Sequence, residues 1–348
     1  MTKGKKGAIG EQINWIYVMI AGGLIILFFV GLVYKQKEAA DRNAAQDSIN
    51  AIDELTTQPP QSSQIVKIPN LKLRIECQEQ GLSESNILRI GDISLQENEV
   101  IFGEEVNRNE LTAMTQEWSV PFKVTNLIYL TGSDTRYIIL ASKPQYESLA
   151  QELFYQLPDS LNKKLYKATD TIDETPERRI VIARIGPTSS DINSDPTIIA
   201  IDFSKYSDAM ALDIKPNPAN TEYGQVEFYY YDKPSGFQTP QTASYSGINM
   251  LIGAIYSPGI DAYQCNLKKA YQKLAHVSKL YAEKANILKT EAGKTPRQLP
   301  ESCTIAMYDL TKINKLSHTT ISDDILTDKQ AVEEQNRALL RAACPTIY

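Results

Sequence analysis

Apolar positions along the chain gather first into one unbroken block. Residues 13–34, INWIYVMIAGGLIILFFVGLVY, carry no charged side chain. At ~1.5 Å of rise per residue, a helix of that length matches the ~30 Å hydrocarbon core of a bilayer. The apolar residues cover every face instead of forming a stripe, which suits lipid better than the half-buried position of an ordinary core helix. Trp15 and Tyr17 near one end and Tyr34 at the other fit interfacial aromatic belts. A cleaved secretory signal would be shorter and end at a small-residue site, whereas Tyr34, Lys35, Gln36 and Lys37 follow this block. The pattern predicts a transmembrane helix over 13–34, behind a basic cytoplasmic tail over 1–12.

Residues 35–55 lack Pro and Gly and are rich in Ala, Gln and charge, which predicts a helical stalk. Residues 56–64 (TTQPPQSSQ) end it in a polar linker that lifts the following domain off the lipid. From 65 to 260 the pattern turns to short β-rich runs. Leu71, Leu73 and Ile75 alternate ahead of Cys77, and residues 100–102 form a short apolar run. Residues 120–131 and 136–141 read as strands joined by a hairpin loop at Gly132, Ser133 and Asp134. Residues 179–185, 197–203 and 225–231 add further strands, the runs IVIA and IIAI being apolar enough for burial on both faces. Between them, residues 145–157 place Leu149, Leu153, Phe154 and Leu157 at helical spacing, with Pro158 as the stop. This interleaving predicts a layered mixed α/β domain.

The last stretch, 261–348, is helical in pattern. Leu267, Tyr271, Leu274, Ser278, Tyr281, Ala285 and Leu288 recur at steps of four and three, the stripe of a helix packed on the domain. A further helix is predicted over 302–316. Another opens on the capping box of Thr327, Asp328, Lys329 and Gln330 and runs to about Ala343, where Cys344 and Pro345 stop it.

Composition narrows the function classes. The net charge of −6 and the absence of long basic runs beyond the tail exclude nucleic acid as a natural partner. All four cysteines (Cys77, Cys265, Cys303, Cys344) follow the anchor, with no C-x-x-C and no His at metal spacing. They read as two disulfides in an oxidising compartment. Lys3, Lys5 and Lys6 before the anchor and Lys35, Lys37 and Arg42 after it nearly tie under the positive-inside rule, so the cysteines decide the outward placement of the domain. Three pairings remain open. An antiparallel helix pair would join Cys265 to Cys344, whereas an up-down-up arrangement would join Cys303 to Cys344 and leave Cys77 for Cys265.

Candidate chemistry is thin. His276 and His318 stand without a nucleophile motif, and the G-x-S-x-G, H-E-x-x-H and G-x-G-x-x-G patterns are absent. Gly293, Lys294 and Thr295 resemble the end of a P-loop, but Leu288 stands where its first glycine belongs. Asp191, Asn193 and Asp195, with Asp202 further on, have the spacing of a calcium loop. Pro196 stands where the sharp turn needs Gly, which favours a plain acidic loop. Tyr229 and Tyr231 share one strand face and Phe228 and Tyr230 the other, a packing pattern before a recognition surface. A tethered enzyme would need convergent strand-end carboxylates such as Asp202 and Asp232. No cofactor is called for.

Two resemblances add to this reading. Asn14-Trp15-Ile16, Ile20-Ala21-Gly22, Val120-Pro121-Phe122, Asn126-Leu127-Ile128-Tyr129-Leu130-Thr131, Arg136-Tyr137-Ile138, Gly253-Ala254-Ile255-Tyr256-Ser257, Tyr263-Gln264-Cys265-Asn266 and Cys344-Pro345-Thr346-Ile347-Tyr348 resemble an uncharacterised family of single-pass membrane proteins in small-genome archaea. That resemblance implies an envelope protein and carries over no catalytic residue. Lys5-Lys6-Gly7-Ala8-Ile9-Gly10 is similar to the processing sites of archaellins and pilin-like proteins, which implies cleavage after Gly7 and a filament subunit. Glu11-Gln12-Ile13-Asn14 departs from the archaellin continuation. The expectation is a single-pass protein of the cell membrane with an extracellular α/β domain, working without catalysis on another envelope protein or on itself. A filament subunit and a tethered enzyme are the alternatives.

Overall fold

The computed structural model describes residues 8–57, 62–67, 72–80, 83–90, 93–106, 110–167, 170, 172, 178–187, 192–294, 299–318 and 325–348. One long helix, α1 (Ala8–Thr57), precedes eight strands: β1 (Ser63–Lys67), β2 (Leu73–Gln80), β3 (Ser83–Ile90), β4 (Ile93–Glu97), β5 (Val100–Gly103), β6 (Glu110–Ser119), β7 (Lys123–Gly132) and β8 (Thr135–Ala141). Then come α2 (Glu147–Gln156), β9 (Asn162–Lys167), β10 (Arg179–Ile185), the single turn α3 (Pro196–Ile199), β11 (Asp208–Asn217), β12 (Asn220–Asp232), β13 (Gly236–Phe237) and β14 (Gln241–Ser246). The chain closes with α4 (Ile248–Tyr256), α5 (Ile260–Ala292), α6 (Leu310–Leu316) and α7 (Ile325–Arg341). The fold is mixed α/β, with the C-terminal helices packed on the sheets.

The strands form three sheets. The first has order β1-β6-β7-β5, and the second is a small β2-β3-β4 meander. The third runs β13-β12-β11-β10-β8-β9, with β14 also on β12. Its centre is parallel, β8 and β10 being buried at every position, as strands covered on both faces must be. One core lies between the first and third sheets and helices α2, α4 and α5. A second lies on the other face of the first sheet, filled by Ala45, Ile49 and Ile52 of α1 together with the meander.

That second core corrects the view of residues 35–55 as a free stalk. Residues 35–40 are exposed, but Ala45, Ser48, Ile49 and Ile52 are buried, so α1 ends as a core element of the domain. Residues 58–61 of the linker lie outside the described residues.

The third sheet corrects two further expectations. Gly132, Ser133 and Asp134 do not close a hairpin. β7 pairs with β5 and β6, while β8 pairs with β9 and β10, so the turn is a corner between two sheets. The hairpin is instead β6-β7, turned through the cis Val120–Pro121 bond. Residues 197–203 are not a strand either. Asp195 caps α3 through Thr197 N at 2.9 Å with Pro196 in its first turn, and Asp202 caps the next turn through Ser204 N at 3.1 Å. Two caps and a proline override the β-propensity of the isoleucines, and Ile199 is 62% exposed.

The C-terminal helices follow the sequence pattern more closely. The α5 stripe faces the core as expected. Asn266 on α5 closes the β5 edge: its Oδ1 accepts from Ile101 N at 3.2 Å and from Asn86 Nδ2 at 2.8 Å. The segment 302–316 is helical only as the turn Ile305–Met307 and α6, with Asp309 capping the latter. Thr327 lies inside α7 rather than at its cap, because that helix begins at Ile325 and ends at Arg341. The disulfides are Cys77–Cys265, with Cα atoms 6.1 Å apart, and Cys303–Cys344, 5.5 Å apart, both within the usual ~4.4–6.8 Å span.

A candidate binding groove beside helix α2

Helix α2 buries Leu149, Ala150 and Leu153 against the main core and leaves Glu152 and Tyr155 outside. Its C-terminal end is pinned by Lys163, whose Nζ donates to Phe154 O at 3.0 Å and Leu157 O at 2.6 Å. An ammonium there completes the last carbonyls and suits the helix dipole. Opposite α2, helix α4 starts at Gly247, whose φ of 83° is the left-handed conformation that glycine allows. Asn249 Nδ2 donates to Glu117 O at 2.9 Å and Tyr129 OH to Asn249 O at 2.9 Å, fixing α4 to the end of β6 and to β7.

These elements and α7 enclose a cleft of about 310 Å³. Trp118, Leu149, Tyr245, Leu251, Ile325 and Leu326 supply buried apolar lining, and Glu117, Glu152, Glu222 and Lys329 supply charge. A second hollow of about 540 Å³ adjoins the same helix, lined by Gln116, Glu152, Tyr155, Gln156 and Asp159. Glu152 of α2 lines both hollows. The volumes fall in the range of ligand sites, and the lining mixes polar and apolar surface.

The charges of the groove are unequally satisfied. Glu117 lies 3.3 Å from Lys123 and accepts from Ser119 Oγ at 2.8 Å. Asp159 lies 2.9 Å from Lys163, and Lys329 lies 3.9 Å from Glu333. The carboxylates of Glu152 and Glu222 have no partner among the described residues. Gln116 is 95% buried; its Nε2 donates to Gln156 Oε1 at 3.1 Å while its own Oε1 has no partner. Burial raises the pKa of Tyr245, so its hydroxyl stays protonated and donates to Thr221 O at 3.2 Å. The groove thus offers acceptors and negative charge over an apolar bed.

None of the candidate catalytic or metal-ligating residues from the sequence lines it. Asp191 lies outside the described residues. Asn193 is spent on β13, donating to Phe237 O at 3.0 Å and accepting from Phe237 N at 3.0 Å. Asp195 uses one oxygen as the α3 cap and the other on Arg184 at 2.7 Å, and Asp202 is an exposed cap. No group of three metal-ligating side chains forms among the described residues. Asp232 accepts from Gln238 Nε2 at 3.2 Å, and Asp202 ends no strand. His276 is exposed, and His318 Nδ1 sits 2.9 Å from Asn314 O.

Two buried ion clusters lie elsewhere. Arg184 holds Asp213 through two bonds of 2.6 and 2.5 Å as well as Asp195. Burial alone would lower its pKa, but Asp213 and Asp195 outweigh that and keep it charged. Glu104 pairs with Arg179 and accepts the hydroxyls of Thr131, at 2.7 Å, and Thr135. Both clusters are closed on themselves and join strands, so they are read as structural. Searches against protein-family models, curated proteins and solved structures find no match to the chain.

Proposed function

We propose that the protein is a single-pass cell-envelope protein whose folded domain stands outside the cytoplasm and works as a binding module. The observation that carries this reading is α1. Its first half is apolar, long enough to cross a membrane and bare of any packing partner, while the same helix continues without interruption into the core of the domain. A bare apolar helix of that length calls for lipid, and the two disulfides favour an oxidising compartment. The cleft between α2, α4 and α7 combines buried apolar side chains with unpaired acids, and Asp202 and Asp232 do not line it. Those features support recognition over catalysis.

Thiol labelling tests the placement. In intact cells, and again in solubilised membranes, the four cysteines should resist a maleimide until reductant is added. Free thiols reached only after lysis would put the domain in the cytoplasm and overturn the reading.

A filament subunit is the second reading, and the same helix favours it. A half-docked helix with a bare apolar half could bury that half against neighbouring copies instead of lipid. N-terminal sequencing of membrane-extracted protein decides: a chain starting at Ala8 supports processing and assembly, whereas an intact tail leaves the anchored module.

A further inference from the structure

We infer that β1 is the strand by which one copy of this protein pairs with a second copy standing on a facing membrane. The pairing follows from the fold alone, and the place of the second copy rests on the anchored reading above.

β1 is an outer strand of the first sheet. It pairs antiparallel with β6, Ser63 opposite Met114 and Ile65 opposite Thr112. One step earlier, Thr115 N donates to Ser62 O at 2.9 Å. Hydrogen-bonded and non-hydrogen-bonded pairs alternate along an antiparallel ladder, so Ser62, Gln64 and Val66 turn their backbone groups to β6. Ser63, Ile65 and Lys67 turn theirs outward, and all three residues are exposed, Ile65 by 56%. No described strand takes up that edge. The edges at β5, β9 and β13 are blunted: Asn266 closes the first, Lys164 and Lys167 stand exposed on the second, and the third is two residues long.

A second copy fits the open edge because its three outward residues are centred on Ile65. An antiparallel β1 from another copy sets Ile65 against Ile65 and each Ser63 against the other copy's Lys67. Every outward N–H and C=O then finds a partner, the isoleucines form an apolar cross-strand pair, and the two lysines lie at opposite ends, where like charges do not meet. The two-fold axis of such a pair stands perpendicular to the sheet. Helix α1 lies across β1, β6 and β7, burying Ala45, Ser48, Ile49 and Ile52 along its side. The axis therefore reverses α1. The two anchors leave the pair in opposite directions, as copies on facing membranes require and neighbours in one membrane forbid. A five-residue edge is a small contact beside a standard interface. Many copies on two facing surfaces supply the avidity that one such contact lacks.

The test uses the full chain in a neutral detergent and in phosphatidylcholine vesicles. Sedimentation in detergent should show a protein mass that doubles as concentration rises. Ile65→Pro removes an outward N–H without touching the β6 ladder, and Ile65→Lys opposes two like charges at the centre of the pair. Each should weaken pairing about tenfold or more, Ile65→Pro because every pair loses two hydrogen bonds, with circular dichroism unchanged. Ile199→Ala, at an exposed side chain on α3, is the control and should pair as the native chain does. Cross-linking reads the register. Opposed residues of a hydrogen-bonded pair have Cα atoms ~5.5 Å apart, within disulfide reach. Ile65→Cys should therefore cross-link on oxidation, Ser63→Cys alone should not, and a mixture of Ser63→Cys with Lys67→Cys should. Vesicles carrying the native chain should cluster, read by light scattering, while those carrying Ile65→Pro stay dispersed.

A native chain that stays monomeric would overturn the pairing. So would dimers that survive both Ile65 substitutions, which would then form through α1 or another surface, and so would cross-linking by Ser63→Cys alone. Pairing in detergent without clustering of vesicles would overturn the placement on facing membranes. A cytoplasmic labelling pattern of the cysteines in cells leaves the detergent and cross-linking results standing, so the two readings fail separately.

Discussion

Replacing Ile49 with alanine asks whether the end of the anchor helix is part of the folded domain. Ile49 is 2% exposed and sits between Ala45 and Ile52 on the face that α1 turns to the first sheet and the meander. The substitution removes three carbons from a closed site. At about 0.8 kcal/mol for each, the transfer loss is about 2.4 kcal/mol. The cavity left in that cluster brings the total to about 3 kcal/mol. Hydrogen exchange read by mass spectrometry on the full chain in detergent measures it locally. Amides over 45–52 should exchange about a hundredfold faster, since each 1.4 kcal/mol is worth a factor of ten. Ile287→Ala, at a side chain 62% exposed, should shift stability by less than about 0.5 kcal/mol. If Ile49→Ala changed exchange no more than Ile287→Ala, α1 would be an independent stalk. The rigid connection between anchor and domain would then be refuted.

Glu104→Ala leaves Arg179 buried against the corner of two sheets with only the half-exposed Asp208, 3.1 Å away, for compensation. The loss should be about 3–5 kcal/mol in urea denaturation, and the double variant Glu104→Ala with Arg179→Met should lose less; a double variant no better than the single would sink that reasoning. Glu97 offers a pH test: burial, then Asp53 and Glu99, raise its pKa above the ordinary 4.5. The folded state therefore binds the proton more tightly than the unfolded chain, so stability rises as pH falls through the folded value towards 4.5, and the penalty is fully present above it. Glu97→Gln should raise the thermal midpoint at pH 7 and lose that advantage at pH 4.5, and an equal advantage at both would count against the sign. Removing the disulfides pairwise should cost about 4 kcal/mol for Cys303–Cys344 and about 5 kcal/mol for Cys77–Cys265, because loop entropy grows only with the logarithm of separations of 41 and 188 residues. Denaturation of the two double-serine variants should keep that order.

The elements that could be read from sequence are those whose pattern is also their environment. The uncharged block in α1's first half is bare of packing partners, as its all-round apolar pattern implies. The stripe of α5 and the apolar runs of β8 and β10 likewise state their burial directly. Where the reading went astray, a local device overruled the pattern. Asp195 and Pro196 wound IIAI into a helical turn, and a two-residue corner mimicked a hairpin loop because β7 and β8 each found better neighbours. The polar stretch of α1 concealed its docking face, since only Ala45, Ile49 and Ile52 are apolar at the contact. The groove left no motif at all. Its residues come from β6, α2, β12, β14, α4 and α7, and Glu152 and Tyr155 read as the solvated side of an ordinary amphipathic helix.

Continuity of α1 has a mechanical meaning for the domain it carries. Tyr34 is the last residue of the apolar block and Ala45 the first fully buried one, eleven residues on, or about 16 Å of helix. No glycine or proline interrupts the helix between Leu32 and Thr57, so nothing along that length acts as a ready hinge. With the apolar half in a bilayer, as proposed above, a domain carried on such a rod would be held at a set height and would not sweep freely above the surface.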